Sequence, residues 1–289
     1  MSLLSLLQHL AAADTMPQPT ERRTALAQLA RTAAVALPAV LAGAVVTPAT
    51  AQRSGTLLDA LLLILRVEWL QEAFYSRLLT APTVVPAAIQ PDLALIRAQQ
   101  QQHVALLENV ISTSGGVLPT RPTYDFTGSH GQTTPSLFPD VFTSADTALA
   151  VAQVLEDFSV RAYQGQLASL MSNNDLMDLV VRMYAVEGRH AAHLRRLRQQ
   201  RGASVKPWIS GTDGDGPIPP ATAPIYAGEG QLEQLATVSV YPPVKTSLVA
   251  LLPTLPVLTD AEQKAAATEA YDEPLTTAEA QRIMALFVI

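Results

Sequence analysis

The sequence predicts an all-α fold: a four-helix bundle with a long crossover between its second and third helices, an N-terminal arm and a loop-rich C-terminal extension. Three observations lead to this architecture. Apolar residues recur at steps of three and four along four segments, the spacing that lines one face of a helix. Connections within each pair of segments are short, whereas the connection between the pairs is long. The two pairs also repeat one another in the polar residues set along their apolar seams.

Residues 1–52 precede the bundle and differ from it in character. Arg22-Arg23 stands before the apolar run Thr32 to Val46, and Ala49-Thr50-Ala51 follows with small side chains. Basic, apolar and small-residue regions in that order make an export signal, and the paired arginines point to the twin-arginine route. The expected location is therefore outside the cytoplasm, periplasmic or associated with the cell envelope. Two other readings fit the same residues: a retained arm that associates with the membrane, and a helical arm packed on protein. A spanning helix fits less well, because Pro38 interrupts the run and Thr32 to Val46 falls short of the ~20 residues a bilayer requires.

Residues 53–202 carry the bundle. The first seam, between Thr56 and Leu79, runs through Leu61, Leu65, Glu68, Glu72, Tyr75 and Leu79. The second follows Leu93, Ile96, Gln100, His103, Leu107 and Val110, and Gly115-Gly116 stops it. The third is Leu149, Ala152, Glu156, Val160, Tyr163, Leu167 and Leu170. The fourth is Leu176, Val180, Met183, Glu187, His190, Leu194 and Leu197, with Gly202 as its C-terminal stop. Pro82 and Pro86 lie in the first connection and Ser172-Asn173-Asn174 forms the last, so each pair is expected to be antiparallel. A helix of twenty residues is about 30 Å long, and an extended chain from Gly115 to Ser144 can run back along it. That length favours two hairpins joined by a crossover over a simple up-down-up-down bundle.

Residues 203–289 form the extension. Prolines from Pro207 to Pro256 leave no room for a long helix until Thr259-Asp260-Ala261-Glu262 opens one with a capping box. Thr276-Thr277-Ala278-Glu279 opens another, which ends near Phe287. The rest reads as packed loops with room for a short hairpin. Asp213-Gly214-Asp215-Gly216 offers too few carboxylates for a calcium loop and reads as a turn.

Composition narrows the function. With 48% hydrophobic and 15% charged residues, 289 residues can bury a sizeable core. A net charge of -6 argues against a nucleic-acid partner, since phosphate binding needs clustered Lys and Arg. Arg195, Arg196, Arg198 and Arg201 do cluster, but at a predicted helix end where cations complement the dipole. The absence of cysteine removes disulfides, thiolate ligands and a cysteine nucleophile.

The seam polar residues carry the chemistry. Glu68 and Tyr75 are seven residues apart, as are Glu156 and Tyr163; Gln100 and His103 are matched by Glu187 and His190. A carboxylate from each of two helices, with a carboxylate and an imidazole one turn apart on each of the others, suits a dinuclear metal site between four helices. Gln100 stands where the repeat calls for a glutamate. Several buried carboxylates on converging seams need cations, protons or strong hydrogen bonds, because each unpaired charge costs several kcal/mol. Carboxylate and imidazole ligands suit iron, manganese or zinc better than magnesium or calcium. Tyr75 and Tyr163 fall two turns from the glutamates on the same faces, placed to hydrogen-bond ligands or to act as redox-active neighbours. A metal-free polar network in the core and a set of solvated i,i+3 pairs are the two plainer accounts. His193 lies off the seam, and His9 and His130 fall in the arm and the crossover.

Arg66-Val67-Glu68-Trp69-Leu70-Gln71-Glu72-Ala73-Phe74-Tyr75, Gln102-His103-Val104, Leu155-Glu156-Asp157 with Tyr163, and Glu187-Gly188-Arg189-His190-Ala191-Ala192 together resemble the ferritin-like superfamily. The likeness is to the bacterial ferritin-like-domain proteins related to rubrerythrins and plant desiccation-related proteins, and Glu269-Ala270-Tyr271-Asp272-Glu273-Pro274-Leu275-Thr276 resembles their ending. The resemblance implies a ferritin-like bundle in which Glu68 and His103 hold one metal, Glu156 and His190 hold the other, and Glu187 bridges. The second bridging carboxylate of the family falls on Gln100, a neutral and weaker donor, with Glu72 one turn along as a substitute.

The expected function is that of an exported ferritin-like metalloprotein binding one or two ions of iron or manganese. Its expected chemistry is that of a di-metal, ferroxidase-like oxidoreductase acting on dioxygen or peroxide, with Tyr75 and Tyr163 as catalytic residues. The competing reading is a metal-poor structural or stress-associated protein whose site Gln100 has degraded, or a component of a homo-oligomer or larger assembly.

Overall fold

A computed structural model describes residues 56–81, 83–236, 244–247 and 259–289. The N-terminal arm, with its expected export signal and membrane association, lies outside the described residues, as does His9. Residues from Arg53 to the C-terminus group as one compact unit, so the extension belongs with the bundle.

Four long helices dominate: α1 (Leu57–Leu79), α2 (Gln90–Thr113), α3 (Ala145–Leu170) and α4 (Asn174–Gln200). Their starts are set by local chemistry. At α1 the Thr56 hydroxyl accepts from the Asp59 amide and the Asp59 carboxylate accepts from the Thr56 amide, a reciprocal capping box. Ser144 and Asn173 cap α3 and α4 through their side-chain oxygens. Pro91 in the first turn of α2 costs nothing, because the amide it lacks has no helical partner there. Gly115 and Gly202, at φ +78° and +94°, end α2 and α4 in the left-handed region as expected.

Helix α1 packs on α2, α3 on α4, and α1 on α3. Tyr75 of α1 reaches Glu156 of α3 while Tyr163 of α3 reaches Glu68 of α1, so these two helices are antiparallel. Helix α2 then runs parallel to α3, and the chain from Ser114 to Ser144 must travel the length of the bundle between them. This is the long crossover that the sequence predicts.

Apolar side chains fill the bundle as two clusters. One, containing Leu61, Leu65, Leu107, Ile111, Val180 and Met183, occupies one end. The other, containing Leu70, Phe74, Leu93, Ile96, Leu155 and Leu194, occupies the opposite end. Between them lies a layer of polar side chains.

The extension adds a short helix α5 (Ala223–Tyr226), a pair of antiparallel strands β1 (Glu233–Ala236) and β2 (Val244–Ser247), and helices α6 (Asp260–Thr268) and α7 (Thr277–Met284). Both expected capping boxes form, at Thr259 and Thr276. Gly211–Asp213 form one turn of 3-10 helix that leads into a turn at Gly214 and Asp215, with the Asp213 carboxylate accepting from Arg195 and from the Ser210 amide.

The extension is docked more tightly than a run of loops implies. Residues 148–163 of α3 are buried on every side, because the extension covers the face that the other three helices leave open. The Arg161 guanidinium pairs with Glu229 at 2.6 Å and donates to the carbonyls of Ile225, Ala227 and Glu273. At Gly165 a Cβ would stand 1.8 Å from the Leu275 carbonyl oxygen, so only glycine admits this approach. Arg195 departs from expectation: it is fully buried, bonded to Asp157 at 2.6 Å and Asp213 at 2.9 Å, and serves the extension instead of the helix dipole. The last residues return to the crossover, where Asp125 donates its amide to the Phe287 carbonyl and Ile289 its amide to that of Thr123.

Candidate metal centre

Each helix contributes to the polar layer from its inner seam. Helices α1 and α3 supply Glu68 and Glu156, α2 supplies Gln100 and His103, and α4 supplies Glu187 and His190. The three carboxylates are fully buried, and the histidines, at 8% and 5% exposure, are the least covered members. Two triads of donor atoms gather closely enough to share an ion: Glu68, His103 and Glu187 in one half, and Glu156, Glu187 and His190 in the other. Glu187 belongs to both.

In the first half, His103 Nδ1 lies 3.3 Å from Glu68 Oε2 and 3.2 Å from Glu187 Oε1. None of these three atoms makes a hydrogen bond. Here the positive charge that balances the two carboxylates is that of the His103 imidazolium; a divalent ion could take its place by displacing the Nδ1 proton and drawing on all three atoms. The residues of this half therefore fit a divalent ion. The other Glu68 oxygen accepts a short hydrogen bond from the Tyr163 hydroxyl, which orients the carboxylate.

The second half is filled differently. Glu156 Oε1 accepts from the Tyr75 hydroxyl at 2.5 Å, and Glu156 Oε2 accepts from the Gln71 amide at 2.9 Å. The same Gln71 nitrogen donates to Glu187 Oε2 at 2.9 Å, and Gln100 Nε2 and Ser159 Oγ donate to that oxygen at 3.1 and 2.9 Å. His190 Nδ1 lies 3.4 Å from Glu156 Oε2 without a hydrogen bond, while its Nε2 sits 2.6 Å from Gln99 Oε1. Because an amide oxygen can only accept, Nε2 carries the proton and Nδ1 keeps a lone pair facing inward.

Protonation follows from crowding three carboxyls into an apolar bundle. Burial, reinforced by Glu187, pushes Glu68 up to about 7, and the same two causes raise Glu156 well above the carboxylate range. Burial also acts against ionised Glu187, but contact with His103 and favourable electrostatics with the neighbouring imidazoles outweigh it and hold this carboxyl at about 2. Burial lowers His190, whereas at His103 the carboxylates of Glu187 and Glu68 overcome burial and raise the imidazole to about 10. Burial and the adjacent carboxylates push both tyrosine hydroxyls well up, so Tyr75 and Tyr163 remain neutral donors.

The structure brings Glu68, Gln100, His103, Glu156, Glu187 and His190 together, with Tyr75 and Tyr163 against them. Glu72 requires correction. Its carboxylate is engaged on the outside of α1 by Arg121 of the crossover and by Ser76 at 2.7 Å, and it belongs to neither triad. His193 pairs with Asp92 and His130 contacts the Val288 carbonyl, so neither enters the site. Gln71, Gln99 and Ser159 are the participants that sequence reasoning missed. Gln71 follows Glu68 by three residues as Ser159 follows Glu156, an extension of the repeat that was legible; nothing marked Gln99.

Among the described residues no helix is long and apolar enough to cross a membrane. No curated protein matches the chain. A family model described as a ferritin-like domain matches residues 56–200, from the cap of α1 to the last residue of α4. The bundle, its crossover and its buried Glu/His layer thus coincide with the matched region, and the chain belongs to the ferritin-like domain family.

Proposed function

We propose that this protein is an exported ferritin-like metalloprotein that binds iron or manganese between its four helices and reacts with dioxygen or peroxide. The observation that carries the reading is the convergence of Glu68 Oε2, His103 Nδ1 and Glu187 Oε1, three buried donor atoms with no hydrogen-bond partner. Glu68, His103 and Glu187 would hold the ion, with Glu156 and His190 as the remaining donors. The bound metal would supply one-electron redox chemistry toward the oxidant.

The chain's own residues define how such a site works. The apolar clusters above and below exclude water from the layer. Tyr163 and Tyr75 fix the Glu68 and Glu156 carboxylates through their hydroxyl protons, and each phenol is close enough to pass an electron or a proton to the centre. The histidine edges are the least covered approach for a small oxidant. Export rests on Arg22-Arg23 and the apolar run after it.

Protein loaded with ferrous iron under anaerobic conditions and then exposed to oxygen should develop ferric absorption, and Glu187→Ala should abolish it. Equal absorption in parent and variant would refute the reading. The metal-poor structural alternative is favoured by one observation, that Gln71 and Tyr75 already satisfy both oxygens of Glu156. Less than one ion per chain after reconstitution would select it.

A further inference from the structure

We propose that the bundle holds a single divalent ion, bound by Glu68, His103 and Glu187, and that the amides of Gln71 and Gln100 keep the Glu156–His190 half closed to a second. The inference rests on the metal-binding part of the function proposed above and assigns its stoichiometry and the residues that limit it.

The two halves contain the same donor types but differ in what already occupies them. In the open half Glu68 Oε2, His103 Nδ1 and Glu187 Oε1 make no hydrogen bond, and only the His103 imidazole, 3.3 and 3.2 Å from the two oxygens, faces them. In the closed half His190 Nδ1 likewise makes no hydrogen bond, but the Gln71 nitrogen already bridges Glu156 Oε2 and Glu187 Oε2 at 2.9 Å each. Gln100 Nε2 adds a bond to Glu187 Oε2 at 3.1 Å and stands 3.5 Å from both oxygens of Glu156. Amide hydrogens here do what a cation would do: they place positive charge between two carboxylates.

The amide orientation is dictated by its neighbours. Turning either group over would set its oxygen against carboxylate oxygens at hydrogen-bond distance, which is repulsive. As they stand, Gln71 Oε1 and Gln100 Oε1 face away and have no partner. A second ion drawing on Glu156 Oε2 would compete with the Gln71 bridge, and either amide could join it only as a neutral donor after turning over. It would also lack the charge that a glutamate at position 100 would bring. Gln71 is therefore a positioning residue that acts through Glu156, with Gln100 as its partner on α2.

The test is titration of the full chain with Mn(II), followed by calorimetry, elemental analysis after desalting, and electron paramagnetic resonance. The expected result is one ion per chain with an uncoupled Mn(II) spectrum. His103→Ala should remove the ion and His190→Ala should retain it. Gln100→Glu should raise the content to two ions with an exchange-coupled spectrum. Gln71→Ala should admit a second, weaker ion, and it keeps the test open should Gln100→Glu fail to fold. Two ions on the parent protein would overturn the inference while leaving the proposed function standing. No ion on the parent would overturn both. One ion retained by His103→Ala and lost in His190→Ala would overturn the assignment to the open half.

Discussion

The half of the polar layer around Glu68 and His103 and the half around Glu156 and His190 descend from one repeated pattern, yet they offer an ion different surroundings. The first leaves three donor atoms without a hydrogen bond, gathered around the His103 imidazole. The second binds both oxygens of its glutamate, one to Tyr75 and the other to Gln71. Ligand type and spacing are thus not enough to define a metal site; what already bonds the ligands decides whether an ion has anything to gain. Glu187 connects the halves, one oxygen facing the unpartnered atoms and the other accepting from Gln71, Gln100 and Ser159.

The comparison can be broken most directly at that shared residue. Glu187→Ala should lower Mn(II) affinity at least about 100-fold, beyond what loss of an outer-shell partner produces; calorimetric titration checks this. Next, the halves should respond unequally: His103→Ala should weaken binding by roughly 100-fold, whereas His190→Ala should change it by less than about tenfold. Equal losses in the two variants would erase the distinction.

The remaining predictions concern stability and orientation. Gly165→Ala should destabilise the protein by about 1–3 kcal/mol, the usual range for overpacking, because its Cβ would meet the Leu275 carbonyl and loosen α3, which carries Glu156 and Tyr163. Thermal or urea unfolding measures it. Tyr75→Phe should cost metal-free protein about 1–3 kcal/mol by stripping a buried Glu156 oxygen of its donor, with little effect on Mn(II) affinity. Tyr163→Phe should instead weaken Mn(II) binding by about tenfold, since its hydroxyl orients an oxygen of Glu68. Unfolding curves and titrations of the two variants, taken together, give the sharpest reading of how the halves differ.

Much of this was legible in the sequence because the informative residues lie at helical spacing. Glycines, caps and seams announce the four helices, and polar residues at seam positions announce the layer. Glu72 shows where that logic runs out: it shares the seam spacing, but a step of four from Glu68 carries it far enough around α1 to meet Arg121 outside. Spacing along one helix does not reveal what the crossover brings beside it. Gln71 shows the opposite error, a neutral residue passed over although its position matched Ser159 in the repeat. The burial of α3 on all sides could not be read from α3 alone, because the residues that its side chains meet in the extension lie 64 to 112 positions later in the chain.

That distance along the chain has a consequence for synthesis. The segment matched as a ferritin-like domain ends at residue 200, but Arg161 and Arg195 find their partners in Glu229, Ile225 and Asp213, and Gly165 meets Leu275. A nascent chain that has emerged only through α4 would carry Arg161 without its partners, Arg195 with Asp157 alone, and an uncovered apolar flank on its third helix. Full cover of the third helix must wait for residues as late as Leu275, so a ribosome stalled shortly after the fourth helix would hold a ferritin-like domain complete in sequence with one flank of that helix still bare.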